Sequence, residues 1–170
     1  MKLYPAQIPT ISHDVIRRLT EGEDIEVERV DEAQLDIEAI LKEYLRLDRE
    51  LTDRAKEMLE KRKLSYDQFG RIKRGMAEER GLSTEEEVIG YLTNQMLESF
   101  MNSSHIAEVF TEEGALRRKV QKLLKKHLLI EGELDQEVRQ RIRNLEEGTS
   151  SWEIEYQKTM EQIKRKHKLL

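Results

Sequence analysis

The stretch Ile40-Leu41-Lys42-Glu43-Tyr44-Leu45-Arg46-Leu47-Asp48-Arg49-Glu50-Leu51 returns 83 positions later as Leu123-Leu124-Lys125-Lys126-His127-Leu128-Leu129-Ile130-Glu131-Gly132-Glu133-Leu134. Across residues 40–59 and 123–142, five of twenty positions are identical and six more exchange like for like, Asp48 with Glu131 among them. Most matches are apolar residues at the spacing of a helix core, so the copied element is a packing unit rather than a reactive site.

The echo continues on both sides with small slips, as expected when loops gain residues and helices do not. Upstream the offset is 81, setting Val15, Ile16, Leu19 and Ile25 opposite Met96, Leu97, Phe100 and Ile106. Downstream it is 87, setting Phe69, Met76, Arg80 and Leu82 opposite Tyr156, Ile163, His167 and Leu169. Residues 5–82 and 83–170 are therefore expected to be two similar four-helix units, joined in one compact all-α body. Short extended segments are expected near 25–28, with Ile25, Val27 and Val30 on one side, and near 106–109; the two could pair. Equivalent truncations, Leu45→Ala and Leu128→Ala, should each cost roughly 2–5 kcal/mol.

Helix starts are read from capping-box spacings at Asp31/Gln34, Ser65/Gln68, Ser83/Glu86 and Ser150/Glu153, and stops from Gly22, Gly81 and Asn102. The inward lines are Ile37, Ile40, Leu41, Tyr44 and Leu45 on a second helix, and Leu51, Ala55, Met58 and Leu59 on a third. Tyr66, Phe69, Ile72 and Met76 line a fourth. In the second half, Val88, Ile89, Leu92, Met96, Leu97 and Phe100 come first, then Val120, Leu123, Leu124 and Leu128. Leu134, Val138, Ile142 and Leu145 follow, and Trp152, Tyr156, Met160 and Ile163 close the series.

Charged residues make up 38% of the chain and aromatics 5%, against about 25% charged in an average globular chain, so the core is thin for its solvated surface. Halves of about 80 residues are marginal alone, which favours halves packed on each other or a dimer. Absence of cysteine removes disulfides, thiolate nucleophiles and thiolate metal sites together. No apolar run suits a signal peptide or a membrane span, so a soluble cytoplasmic protein is expected.

The opening Met1-Lys2-Leu3-Tyr4-Pro5, the stretch Leu41-Lys42-Glu43-Tyr44-Leu45 through Asp48-Arg49-Glu50, the segment Phe69-Gly70-Arg71-Ile72-Lys73-Arg74 and the closing Trp152-Glu153-Ile154-Glu155-Tyr156-Gln157-Lys158 resemble the bacterial domain of unknown function 507 family. The resemblance covers essentially the whole chain. It implies a bacterial, all-helical, cytoplasmic protein, and it brings no activity, ligand or catalytic residue with it.

The residues themselves offer little chemistry. His13, His105, His127 and His167 stand far apart and none follows a Glu at the spacing of a helical zinc or di-iron motif, so each is read as a surface or boundary residue. Gly70-Arg71-Ile72-Lys73-Arg74-Gly75 has the outer glycines of a phosphate loop, but Met76 and Ala77 stand where Lys and Ser/Thr would meet phosphate and magnesium. No enzyme activity, metal, nucleotide or covalent cofactor is expected. What remains is charge: an acidic stretch from Glu21 to Asp36, and basic runs at Lys61, Arg62 and Lys63, at Arg117, Arg118, Lys119, Lys122, Lys125 and Lys126, and at the C-terminus. The leading expectation is a structural or interaction protein that binds a protein partner or itself. The alternative is a nucleic-acid- or ribosome-associated factor using the basic runs, against which a net charge of -5 and few aromatics weigh.

Overall fold

A computed structural model describes residues 2–170, except for the side chain of Glu131. Met1 of the opening stretch, and the pairing of the Glu131 side chain with Asp48 in the repeat, thus lie outside the described residues. The elements run α1 (Ile8–Glu21), β1 (Ile25–Val27), α2 (Val30–Arg62), α3 (Phe69–Glu79), α4 (Glu85–Asn102), β2 (Ile106–Val109), α5 (Glu113–Leu128), α6 (Glu131–Arg141) and α7 (Ser150–Lys166). Short 3-10 turns precede α1 at Pro5–Gln7 and α3 at Tyr66–Gln68.

The two extended segments pair as an antiparallel ladder, Ile25 opposite Val109, Glu26 opposite Glu108 and Val27 opposite Ile106. Each end of the ladder is tied by a single carbonyl. The Asp24 oxygen accepts from the N–H groups of Phe110 and Thr111 at 2.8 and 3.3 Å, and the His105 oxygen accepts from those of Glu28 and Arg29 at 2.8 and 3.4 Å.

One core lies between α1, the first half of α2, α4 and α5. Ile11, Ile16, Leu19, Ile37, Leu41, Leu92, Met96, Leu116, Leu124 and Leu128 are fully buried there. α1 packs on α2 and α5, and α4 packs on α5 and α2, so neither half closes a core by itself. The outer half of α2 turns its Leu51, Ala55 and Leu59 toward α3, where Ala77 is the buried residue. A second cluster joins Leu134 and Val138 of α6, Ile142 just after it, Met160 and Ile163 of α7, and Leu169 around Tyr4.

Several boundaries differ from the expected ones. A single helix, α2, replaces the expected second and third, because residues 45–51 contain neither Gly nor Pro and consist largely of good helix formers. At about 1.5 Å per residue it is about 50 Å long. It begins after Arg29 with no side-chain cap, so Asp31 and Gln34 form no capping box. The box of α4 sits one residue later than expected. Thr84 Oγ1 accepts from the Glu87 N–H at 3.1 Å, and Glu87 Oε2 accepts from the Thr84 N–H at 3.0 Å. The bond from the Thr84 N–H foremost, with those from the Ser83 hydroxyl and N–H, holds the Glu87 carboxyl below its ordinary pKa. α7 is capped by Thr149 rather than Ser150. Ser65 opens only the 3-10 turn, its hydroxyl bonding to Asp67 instead of to the backbone. Val30, Tyr66 and Leu145, expected inside, are exposed.

Candidate interaction surface

The basic runs divide once they are folded. On α5 the inward residues Leu116, Val120, Leu124 and Leu128 leave Arg118, Lys122, Lys125 and Lys126 on the exposed side, and none of these four has an ion-pair partner among the described residues. Arg117 is engaged by Glu113 at 3.1 Å and by the Asn94 side-chain oxygen. Lys119 reaches the Asp24 carboxylate at 2.6 Å. Expected as surface cations, these two instead tie α5 to its own first turn, to α4 and to the start of β1. Lys61, Arg62 and Lys63 lie elsewhere, at the far end of α2, where Lys63 stops the helix with a left-handed backbone at φ 53°. Their charge complements the negative end of the helix dipole. The nine cations therefore form no single surface.

Beside Lys61, Arg62 and Lys63 the hairpin of α2 and α3 exposes apolar side chains. Leu64 is exposed, and Tyr66, 70% exposed, stacks on Phe69 with ring centres 5.4 Å apart and planes within 1°. At the hairpin's base, where α4 begins, a cleft of about 260 Å3 opens. Tyr44, Asp48 and Leu51 of α2 form one wall, Gly70, Lys73, Arg74 and Ala77 of α3 another, and Thr84, Glu85 and Val88 the third. Lys73 pairs with Asp48 across it at 3.0 Å, and Arg80 with Glu50 at 3.1 Å fixes the two helices just beyond. Burial, helped by the Asp48 charge, raises the Tyr44 phenol to about 12, so it is a neutral hydrogen-bonding group at any ordinary pH. Gly70, the first glycine of the phosphate-loop-like spacing, is the second residue of α3, and the element just before that helix is the 3-10 turn rather than a strand.

Two polar clusters escaped the sequence reading. Asp14, buried in α1, accepts from Arg18 Nε at 2.8 Å, from Arg17 at 3.1 Å and from His127 Nε2 at 2.7 Å. His127 lies on α5, 113 positions away, and its carbonyl accepts from Gln7 Nε2 at 2.9 Å. An imidazole is therefore used at a position where the repeat has Tyr44. Its charge partner could not be read from sequence, since only the packing of α1 on α5 brings the two together. The second cluster is Asp24, 2% exposed, whose Oδ1 accepts from Thr111 Oγ1 and Lys119 Nζ, both at 2.6 Å.

A pH dependence follows from the first cluster. Burial of the Asp14 carboxyl opposes ionisation, but the hydrogen bonds and charges of His127 and Arg18 outweigh it and lower the pKa from 3.8 to about 2. A depressed folded-state pKa adds stability above the unfolded value and loses it as pH falls through the folded one. About 2 kcal/mol should thus disappear between pH ~4 and pH ~2, and Asp14→Asn should flatten that limb of the profile. Urea midpoints measured across this range check it; an unchanged limb in the variant would remove Asp14 as the cause.

Among the described residues no group of three or more His, Asp or Glu side chains could hold a metal ion, and no helix is long and apolar enough to cross a membrane. No curated protein matches the chain. The model of one family, described as a protein of unknown function (DUF507), matches residues 1–169. With all but the last residue covered and the helical architecture in agreement with the resemblance read from its motifs, the chain belongs to the DUF507 family.

Proposed function

We propose that this chain is a binding protein rather than an enzyme, and that it engages another protein through the hairpin of α2 and α3. The observation that carries this reading is the hairpin itself, where Leu64 and a stacked aromatic pair are exposed at the tip and a cleft opens at the base, in a chain of which 38% of residues are charged. A stacked Tyr66–Phe69 pair beside Leu64 gains little by standing in water, whereas aromatic residues are enriched at the centres of interfaces. Lys61, Arg62 and Lys63 would form a polar rim around that tip. Affinity capture with the full chain from cell lysate, with and without nuclease, tests the reading. Protein partners that survive nuclease and are lost in Tyr66→Ser are expected; partners lost to nuclease would overturn it.

The α5 stripe of Arg118, Lys122, Lys125 and Lys126 favours a second reading, a nucleic-acid-associated factor, because cations on one helix face that have no ion-pair partner among the described residues can follow a phosphate backbone. The acidic surplus of the whole chain weakens it. Binding of bulk cellular RNA is expected to be undetectable near physiological salt. Tight binding that falls steeply with salt, and that Lys122→Gln, Lys125→Gln and Lys126→Gln together abolish, would reverse the order of the two readings.

A further inference from the structure

The start of α4 and the start of α1 are built alike. At α4, Thr84 is the cap and the side chain of Glu87, three residues on, accepts from the Thr84 N–H at 3.0 Å. Before α1, Tyr4 occupies the cap position of the 3-10 turn, and the side chain of Gln7, three residues on, accepts from the Tyr4 N–H at 3.0 Å. Each start also faces a helical hairpin, α2 with α3 in one case and α6 with α7 in the other. The ladder between the halves has the same exchange symmetry, with one carbonyl at each end accepting two successive N–H groups from the opposite strand. These correspondences support reading residues 5–82 and 83–170 as two copies of one unit.

The two places differ in what fills them. Beside α6 and α7 the side chain of Tyr4, 3% exposed, packs among Leu134, Val138, Met160 and Ile163, with the ammonium groups of Lys2 and Lys164 5.1 and 5.2 Å from its ring centre. It is delivered by residues 2–4, which lie outside any helix or strand and lead into the turn with Tyr4 itself extended. Beside α2 and α3 the cap is Thr84, which is short and exposed, and the 260 Å3 cleft opens next to it. Its wall shares an apolar part, Leu51, Ala77 and Val88, with the cations Lys73 and Arg74 at the edge, but it also carries Tyr44, Asp48 and Glu85, and Lys73 is paired with Asp48.

We propose that this cleft receives an aromatic side chain from an extended segment of a partner protein, in the way the chain's own Tyr4 fills the matching place in the other half. The proposal rests on the protein-binding reading above and names the site and the chemistry. Cations at the edge suit the negative face of the ring, and the apolar floor takes its body. A second copy of the chain is the less suitable source, because its Tyr4 is already committed to its own α6–α7 cluster.

The test uses the full chain and a fluorescein-labelled peptide, Lys-Leu-Tyr-Pro-Ala-Gln, corresponding to residues 2–7, read by fluorescence anisotropy. A second peptide carries alanine in place of tyrosine. Thr84→Tyr plugs the cleft from the cap, and Gly70→Trp plugs it from α3, where no atom lies within 4 Å of a side chain's first carbon. Saturable binding of the tyrosine peptide is expected, weakened roughly tenfold or more by the alanine exchange and by either plug, the equivalent of ~1.4 kcal/mol. Amide shifts in NMR spectra should fall on residues 70–77 and 82–88. Absence of binding, undiminished binding to both plugged variants, or shifts around Leu134 and Ile163 would overturn the proposal. So would a concentration-dependent dimer that Thr84→Tyr dissolves, since the occupant would then be a second copy. If the plugged variants bind no peptide differently yet still capture nuclease-resistant partners, the binding-protein reading stands and only this site assignment falls.

Discussion

Replacing Leu128 with alanine is expected to lower the unfolding free energy by roughly 3–5 kcal/mol, and replacing Leu45 by only about 1–2 kcal/mol. The repeat makes the two leucines equivalents, and from sequence they should cost the same. Their surroundings separate them. Leu128 is fully buried in the last turn of α5 inside the shared core, so truncation removes transfer energy and leaves a cavity that four helices cannot easily close. Leu45 is only partly covered, at the margin of that core where α2 passes out toward its hairpin, and part of what it loses is already in contact with water. Urea denaturation of the two variants, compared at constant m-value, measures the difference. Equal losses would mean that Leu45 is as deeply covered in solution as Leu128, and would overturn this packing.

The same pair shows how far the fold can be read from residues alone. Apolar spacing identifies which side of each helix turns inward, and it succeeds wherever an element is amphipathic: Val15, Ile16 and Leu19, Leu92 and Met96, Val120 and Leu124 are all buried as their spacing implies. Alternation likewise marks the first strand, the second is found as its counterpart 81 positions on, and the two pair. Spacing does not show where helices join. The repeated stretch is continuous through residues 45–51 of α2 but interrupted after Leu128, where α5 ends and α6 restarts beside Gly132. Cap spacings are ambiguous by one residue whenever Ser and Thr are adjacent, as at Ser83-Thr84 and Thr149-Ser150, because either hydroxyl can reach the third N–H. The candidate site was less legible. The cleft is bounded by α2, α3 and the start of α4, and no local motif encodes their approach. The Asp14–His127 and Asp24–Lys119 contacts span 113 and 95 positions, and no sequence spacing signals them.

Removal of the Lys119 ammonium, as in Lys119→Met, is expected to be among the most damaging single changes outside the apolar core. Asp24 sits at the turn from α1 into β1, 2% exposed, with its Oδ1 held by Lys119 and Thr111. Its Oδ2 is buried with no hydrogen-bond partner among the described residues and faces Gly22, where an added side-chain carbon would lie 2.7 Å away. Lys119 is thus the only cation within ion-pair distance of this carboxylate among the described residues. Taking away one partner of a buried pair costs roughly 3–5 kcal/mol, because the remaining charge is left in a low dielectric. Lys119 itself is 51% exposed, so water can reach toward the vacated position, and the expected loss is about 3 kcal/mol, the low end of that range. Asp24→Asn in the same molecule should return much of it, since an amide needs no counter-charge and can still meet Thr111. A double-mutant cycle by urea denaturation reads both effects. A loss below about 1 kcal/mol for Lys119→Met would show that the pair is too solvated to matter, and would return Lys119 to the exposed cations of α5.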